Sequence, residues 1–153
     1  TYRYCISRAP VLSPFDAGLA WHRPLAWSTD ILEQAVRLFL GTHDFTAFAA
    51  LRGNEPRPIP ADYFLRTITQ AQVVQEGERV FITLTGTGFL YKMVRLMAGA
   101  AHEAARGKIT LDELARLINY PRPDDKSPFC APPDGLTLMQ VHYAEEAPGN
   151  KQE

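Results

Sequence analysis

Residues 2–8 alternate with a period of two, placing Tyr2, Tyr4 and Ile6 on one face and Arg3, Cys5 and Ser7 on the other. Tyr and Ile favour extended backbone, and the run stops before Pro10 and Pro14, so a strand is predicted. Chain ends normally fray. A strand at the very first residue therefore points to further sequence belonging upstream. The period then changes: Ile31, Leu32, Ala35, Val36 and Phe39 form a stripe at steps of three and four, which predicts a helix. Ser28, Thr29 and Asp30 are its N-cap choices, Glu33 makes a partial capping box with Asp30, and Gly41 is placed to close it. Residues 48–60 hold three prolines, a glycine and an asparagine, and read as an exposed loop.

Residues 64–75 and 79–87 read as two strands around a turn at Glu76-Gly77. Gly86 and Gly88 break the second strand and let the chain turn sharply into a helix from about Phe89 to Arg106, closed by Gly107. Phe89, Met93, Leu96, Met97, Ala100 and Ala104 form its apolar stripe. Thr110-Leu111-Asp112-Glu113 is a capping box that opens a short helix to about Asn119, and Pro121 ends it. A second proline-rich loop, residues 121–135, leads into a last strand over 136–143. This order predicts an α+β fold, a mixed or antiparallel sheet with helices packed largely on one face. Residues 1–144 make one domain, and the acidic tail 145–153 is expected to be disordered.

Composition narrows the class. The 153 residues are enough for one sizeable core, and 46% hydrophobic with 22% charged residues is ordinary globular chemistry. No apolar run approaches the roughly 20 residues of a membrane span. Cys5 and Cys130 lie far apart with no metal-ligand spacing, which argues against a zinc site or disulfide scaffold and fits a reducing cytoplasm. Twelve of the sixteen basic residues are Arg, the side chain suited to two-pronged contacts with phosphate and carboxylate. The tail holds three acids and one base, so the −1 chain carries +1 without it, modest for a nucleic-acid binder.

Self-contained catalytic motifs are missing: no GxSxG elbow, P-loop, GxGxxG or HExxH. His43-Asp44 reads as a structural turn at a core edge, since adjacent residues do not naturally face one another. His22 and His142 lack a partner at ligand spacing. The long helix is more informative. Lys92, Arg95, Gly99, His102 and Arg106 share one basic face, and Gly99 leaves room for a group to approach. Arg95, flanked by Met93-Val94 and Leu96-Met97, suits orientation of a carboxylate or phosphate in a partly desolvated site. Tyr2 and Tyr4 are either core or a stacking platform for an unstacked base.

Tyr2-Arg3-Tyr4, Gly41-Thr42-His43-Asp44-Phe45-Thr46-x-Phe48, Arg66-Thr67-Ile68, the run from Gly88 to Gly99, and Ala131-Pro132-Pro133-Asp134-Gly135-Leu136-x-Leu138 stand in register over residues 2–143. Together they resemble the C-terminal half of TruA-type tRNA pseudouridine synthases. That resemblance implies two similar halves around one cleft, a homodimer, no cofactor and no metal. It implies a cytoplasmic enzyme acting on uridines of the tRNA anticodon arm. The uracil N-glycosidic bond breaks, the base turns, and its C5 rejoins the ribose C1′. The essential aspartate belongs to an Arg-Thr-Asp-Ala-Gly motif of the N-terminal half, and none of the eight aspartates here has that setting. By the same resemblance Tyr2 packs against the target base, Arg95 pairs with the absent aspartate, and Val94 is its apolar neighbour. Phe89, Lys92, His102 and Arg106 are the further residues expected to contact substrate. The chain alone is expected to be inactive. The alternative is a non-catalytic RNA-binding or protein-interaction domain that retains the fold.

Overall fold

The computed structural model describes residues 1–143, and the acidic tail expected over 145–153 lies outside them. The strands are β1 (Tyr2–Ser7), β2 (Trp21–His22), β3 (Gly41–Asp44), β4 (Leu65–Glu76), β5 (Arg79–Gly86) and β6 (Leu136–Leu138). The helices are α1 (Thr29–Arg37), α2 (Met93–Ala105) and α3 (Leu111–Asn119). The six strands form one mixed sheet in the order β2-β1-β5-β4-β3, with β6 also on the free edge of β1. Every pairing is antiparallel except β1 with β2. The α+β class stands.

Alternation along the strands sorts the two faces of the sheet. Tyr4, Ile6, Val80, Ile82 and Leu84 are buried in one core with the helices, while Arg3 and Gln72 remain exposed. A bulge at Thr69 shifts the β4 register, so Ile68 and Ala71, three residues apart, both reach the core. Predicted N-cap Ser28 accepts from the Ile31 N–H at 3.2 Å, but Glu33 pairs with Arg37 instead of closing a capping box. The Thr110–Glu113 box is complete, each residue bonding the other's backbone at 3.1 and 2.7 Å.

Several boundaries move. Gly41 does not close α1, whose C-cap is Leu38; it opens β3, and His43-Asp44 is strand rather than turn. Four residues pairing at a sheet edge leave too short a pattern to register as a period. The hairpin turn is Gly77-Glu78, one residue later than expected, with Gly77 at φ +58° as a tight two-residue connection requires. The last strand stops at Leu138, although the Met139 and Gln140 N–H groups still reach Thr1 O. The long helix begins at Met93, not Phe89. Lys92 sits in the left-handed region at φ 59°, and that residue, not Gly86 or Gly88, turns the chain into α2. Gly86 is small for a different reason: a Cβ there would lie 2.7 Å from Thr67 O.

Candidate functional site

β1 and α2 meet beside the turn that precedes the helix. Tyr2 stands at the start of β1 because Tyr4 and Ile6, on the same face, are already buried beneath the helices. Its ring packs edge-on against Phe89 at 5.1 Å between centroids, in the turn that precedes α2. Tyr4, on the same face but deeper, is core, its hydroxyl donating to Pro132 O at 2.7 Å. Burial pushes that phenol's pKa up, which keeps it a donor.

The first turn of α2 supplies the rest. Val94 is buried behind the surface, and Arg95 comes forward with its Nε donating to Ala131 O at 2.7 Å. The Ala131 N–H returns to Arg95 O at 3.0 Å. This pair of bonds aims the guanidinium while leaving its other donors free. A groove of roughly 280 Å³ results, bringing together Tyr2, Phe89, Lys92, Val94 and Arg95 with Leu136 from the neighbouring strand β6. Five of the seven residues expected from the sequence therefore share one site. Arg52, from the exposed loop, was not foreseen and also lines it. Nothing in its local sequence separates it from any other loop arginine.

His102 must be withdrawn from that site. It is fully buried, with its ring 4.5 Å from Trp21 and 5.4 Å from Trp27, and neither nitrogen has a hydrogen-bond partner. Burial, then the nearby charges of Arg23 and Arg106, hold its pKa down to about 3, so the ring is neutral. Arg106 lies eleven residues beyond Arg95, about 16 Å along the helix, and pairs with Glu103 at 2.9 Å. It does not line the groove. Gly99 gives its space to the chain itself, since a Cβ there would lie 2.2 Å from Phe129 O. The 121–135 loop crosses α2 at that point.

The groove is electrostatically one-sided. Two guanidiniums and one ammonium line it, and no carboxylate does, among the described residues. Three aspartates elsewhere are engaged: Asp16 with Arg79, Asp125 with Arg116 at 2.8 Å, Asp44 with the Thr46 hydroxyl at 2.6 Å. An apolar wall, an exposed aromatic edge and an oriented, unpaired Arg suit an uncharged planar ring next to an anion.

A model of the tRNA pseudouridine synthase family matches residues 35–144, and the chain belongs to that family. It is similar to tRNA pseudouridine synthase A of Akkermansia muciniphila, with 85% identity over 99% of this chain and 57% of the relative. The enzymes of the same name from Methylacidiphilum infernorum and Pelobacter propionicus are 36% and 38% identical, over 94% and 93% of this chain and 54% and 55% of theirs. The chain thus spans a little over half the length of the curated relatives it matches. Among the described residues, no helix is long and apolar enough to cross a membrane.

Proposed function

We propose that this chain is the C-terminal half of an isomerase that converts uridine to pseudouridine in the tRNA anticodon stem-loop, and that the catalytic aspartate enters the groove from the other half. The observation that carries this reading is the oriented guanidinium of Arg95, which among the described residues has no carboxylate partner and shares its groove with no acid. An adjacent cation keeps a carboxylate ionised and aimed. Tyr2 and Phe89 offer an aromatic corner to the uracil, Val94 excludes water behind it, and Lys92 stands at the rim to meet phosphate. The atom balance asks little of this half. The N1–C1′ bond breaks, the C5–C1′ bond forms, the C5 proton leaves, and N1 gains one. The groove must hold the ring while it turns, and a flat apolar wall permits that rotation better than a set of fixed hydrogen bonds.

Residues 1–144 are read as the domain, and a homodimer of the whole protein and a cytoplasmic setting belong to the same proposal. The test is a pseudouridine assay on tRNA, with this chain alone and with the full-length synthase. The chain alone is expected to make none, because no carboxylate among the described residues lines its groove to act on the sugar. Conversion by the chain alone, above a no-protein blank, overturns the assignment of the aspartate to the other half.

A further inference from the structure

A second groove, of roughly 340 Å³, adjoins the first and shares Arg52, Phe89, Leu90 and Tyr91 with it. The two grooves meet at Arg52 and the Phe89–Tyr91 turn, with Tyr2 lining the first and Tyr63 the second. We propose that this second groove binds the RNA nucleotide adjacent to the target uridine, its base on the Tyr91 ring and its phosphate on Arg52. The inference rests on the reading of the first groove as the uracil site.

Three observations support it. The Arg52 guanidinium lies 4.5 Å from the Tyr91 ring centre, and the Lys92 ammonium lies 5.3 Å from the same ring. Neither cation makes an ion pair among the described residues. Two unpaired like charges gathered on one ring repel each other, and an anion between them removes that repulsion. The other charged groups of the second groove are already committed. Arg66 donates to Tyr63 O at 3.0 Å and Leu65 O at 2.6 Å, and Glu55 accepts the Arg52 and Gly53 backbone N–H groups. Those bonds draw the Glu55 carboxyl below its ordinary range and fix the turn that presents Arg52. Tyr91 is 40% exposed, leaving ring surface for a base to stack on. Alternating cation and aromatic ring along adjoining grooves fits a single-stranded, unstacked RNA better than an acidic peptide, which has no bases to stack.

Fluorescence anisotropy of this chain with a labelled RNA hairpin carrying a single-stranded loop tests the proposal across a salt series. Arg52→Ala should weaken binding about three- to ten-fold and flatten the log–log salt slope by roughly 0.7–0.9, the signature of one lost phosphate contact. Tyr91→Ala should weaken binding roughly five-fold or more with the slope unchanged, because stacking releases no counterions. Arg37→Ala, on the far helix and paired with Glu33, is the control and should change neither. Thermal melts check that each variant is folded. If the unmutated chain binds the hairpin but Arg52→Ala and Tyr91→Ala bind as it does, the second subsite is wrong and the first groove stands. Loss in only one of the two, or equal loss in Arg37→Ala, also overturns it. Failure of the unmutated chain to bind the hairpin removes the uracil-site reading along with it.

Discussion

The two ends of α2 carry the same kind of residue at the same spacing and have opposite fates. Lys92 and Arg95 at the N-terminal end face an open groove, while toward the C-terminal end Gly99 and His102 are covered and Arg106 is paired with Glu103. What covers them comes from far along the chain: Phe129 crosses at Gly99, and Trp21 and Trp27 close over His102. Spacing along a helix determines which residues share a face. It carries no information about which distant segment will lie on that face. The comparison gives the helix a division of labour, a chemical end and an anchoring end, and each can be broken separately.

The largest effect belongs to the chemical end. If Arg95 pairs with the catalytic aspartate as proposed, Arg95→Ala in the full-length protein leaves that carboxylate without its partner in a partly dry site. Losing one member of such a pair costs about 3–5 kcal/mol, which at 1.4 kcal/mol per decade is on the order of 100- to 1,000-fold or more in rate. Arg95→Lys should recover only part, since a point charge cannot reach Ala131 O and the carboxylate together as a planar fork does. Single-turnover kinetics at saturating tRNA decides this, with melts to exclude unfolding. A near-normal rate for Arg95→Ala would make Arg95 a mere fastener of the 131 loop.

At the anchoring end the effects are on stability. Gly99→Ala drives a methyl into the Phe129 carbonyl, a backbone atom that cannot swing aside. Overpacking of this kind typically costs about 1–3 kcal/mol, and at about 2–4 °C per kcal/mol in a domain of this size the melting temperature should fall by several degrees. Because that loop also holds Arg95, activity should fall with it. An unchanged melting curve would mean that the loop can lift off α2 at no cost.

His102 supplies a pH test of the same end. The unfolded imidazole takes a proton below about 6.5, whereas the buried ring stays neutral to about 3. The unfolded state therefore binds more protons in that window. Stability is fully present above pH 6.5 and is lost as the pH falls, with a limiting slope of about 1.4 kcal/mol per pH unit from this one group. Denaturant melts between pH 6.5 and 4.5 should show a steeper loss than in His102→Phe, which cannot charge. Parallel slopes would place the ring in contact with water.

The sequence made the strong periodic elements legible. β1, β5, α1 and α3 declare themselves through alternation, stripes and caps because local physics and tertiary packing agree there. β2 and β3 did not, since two and four residues at a sheet edge are too few for a period. Phe89–Lys92 continues the helical stripe on paper but turns out of it at Lys92, a left-handed residue that no propensity foretells. In the groove, Lys92 and Arg95 are legible from helical spacing and Tyr2 from strand alternation, while Val94 rests on the motif resemblance alone. Arg52 reached the site by folding of a loop, and His102 left it for the same kind of reason. The long-range contacts that decide both are not written in either neighbourhood.

The smallest expected effect returns to the chemical end and separates its two cations. Lys92 sits over Tyr91 at the rim, with no hydrogen bond to position it toward the reacting centre. A flexible ammonium there can neutralise a phosphate but cannot share in steps that occur deeper, behind Tyr2. Lys92→Ala in the full-length enzyme should therefore raise the tRNA concentration needed for half-maximal rate about three- to ten-fold. The salt slope of binding should flatten by roughly 0.7–0.9. Once tRNA saturates, the single-turnover rate should match the unmutated enzyme, because only uniform binding has been removed. Lys92→Arg keeps the charge and should keep the affinity. A fall in the saturating rate, with affinity unchanged, would put Lys92 inside the reacting site with Arg95 and erase the distinction between rim and groove.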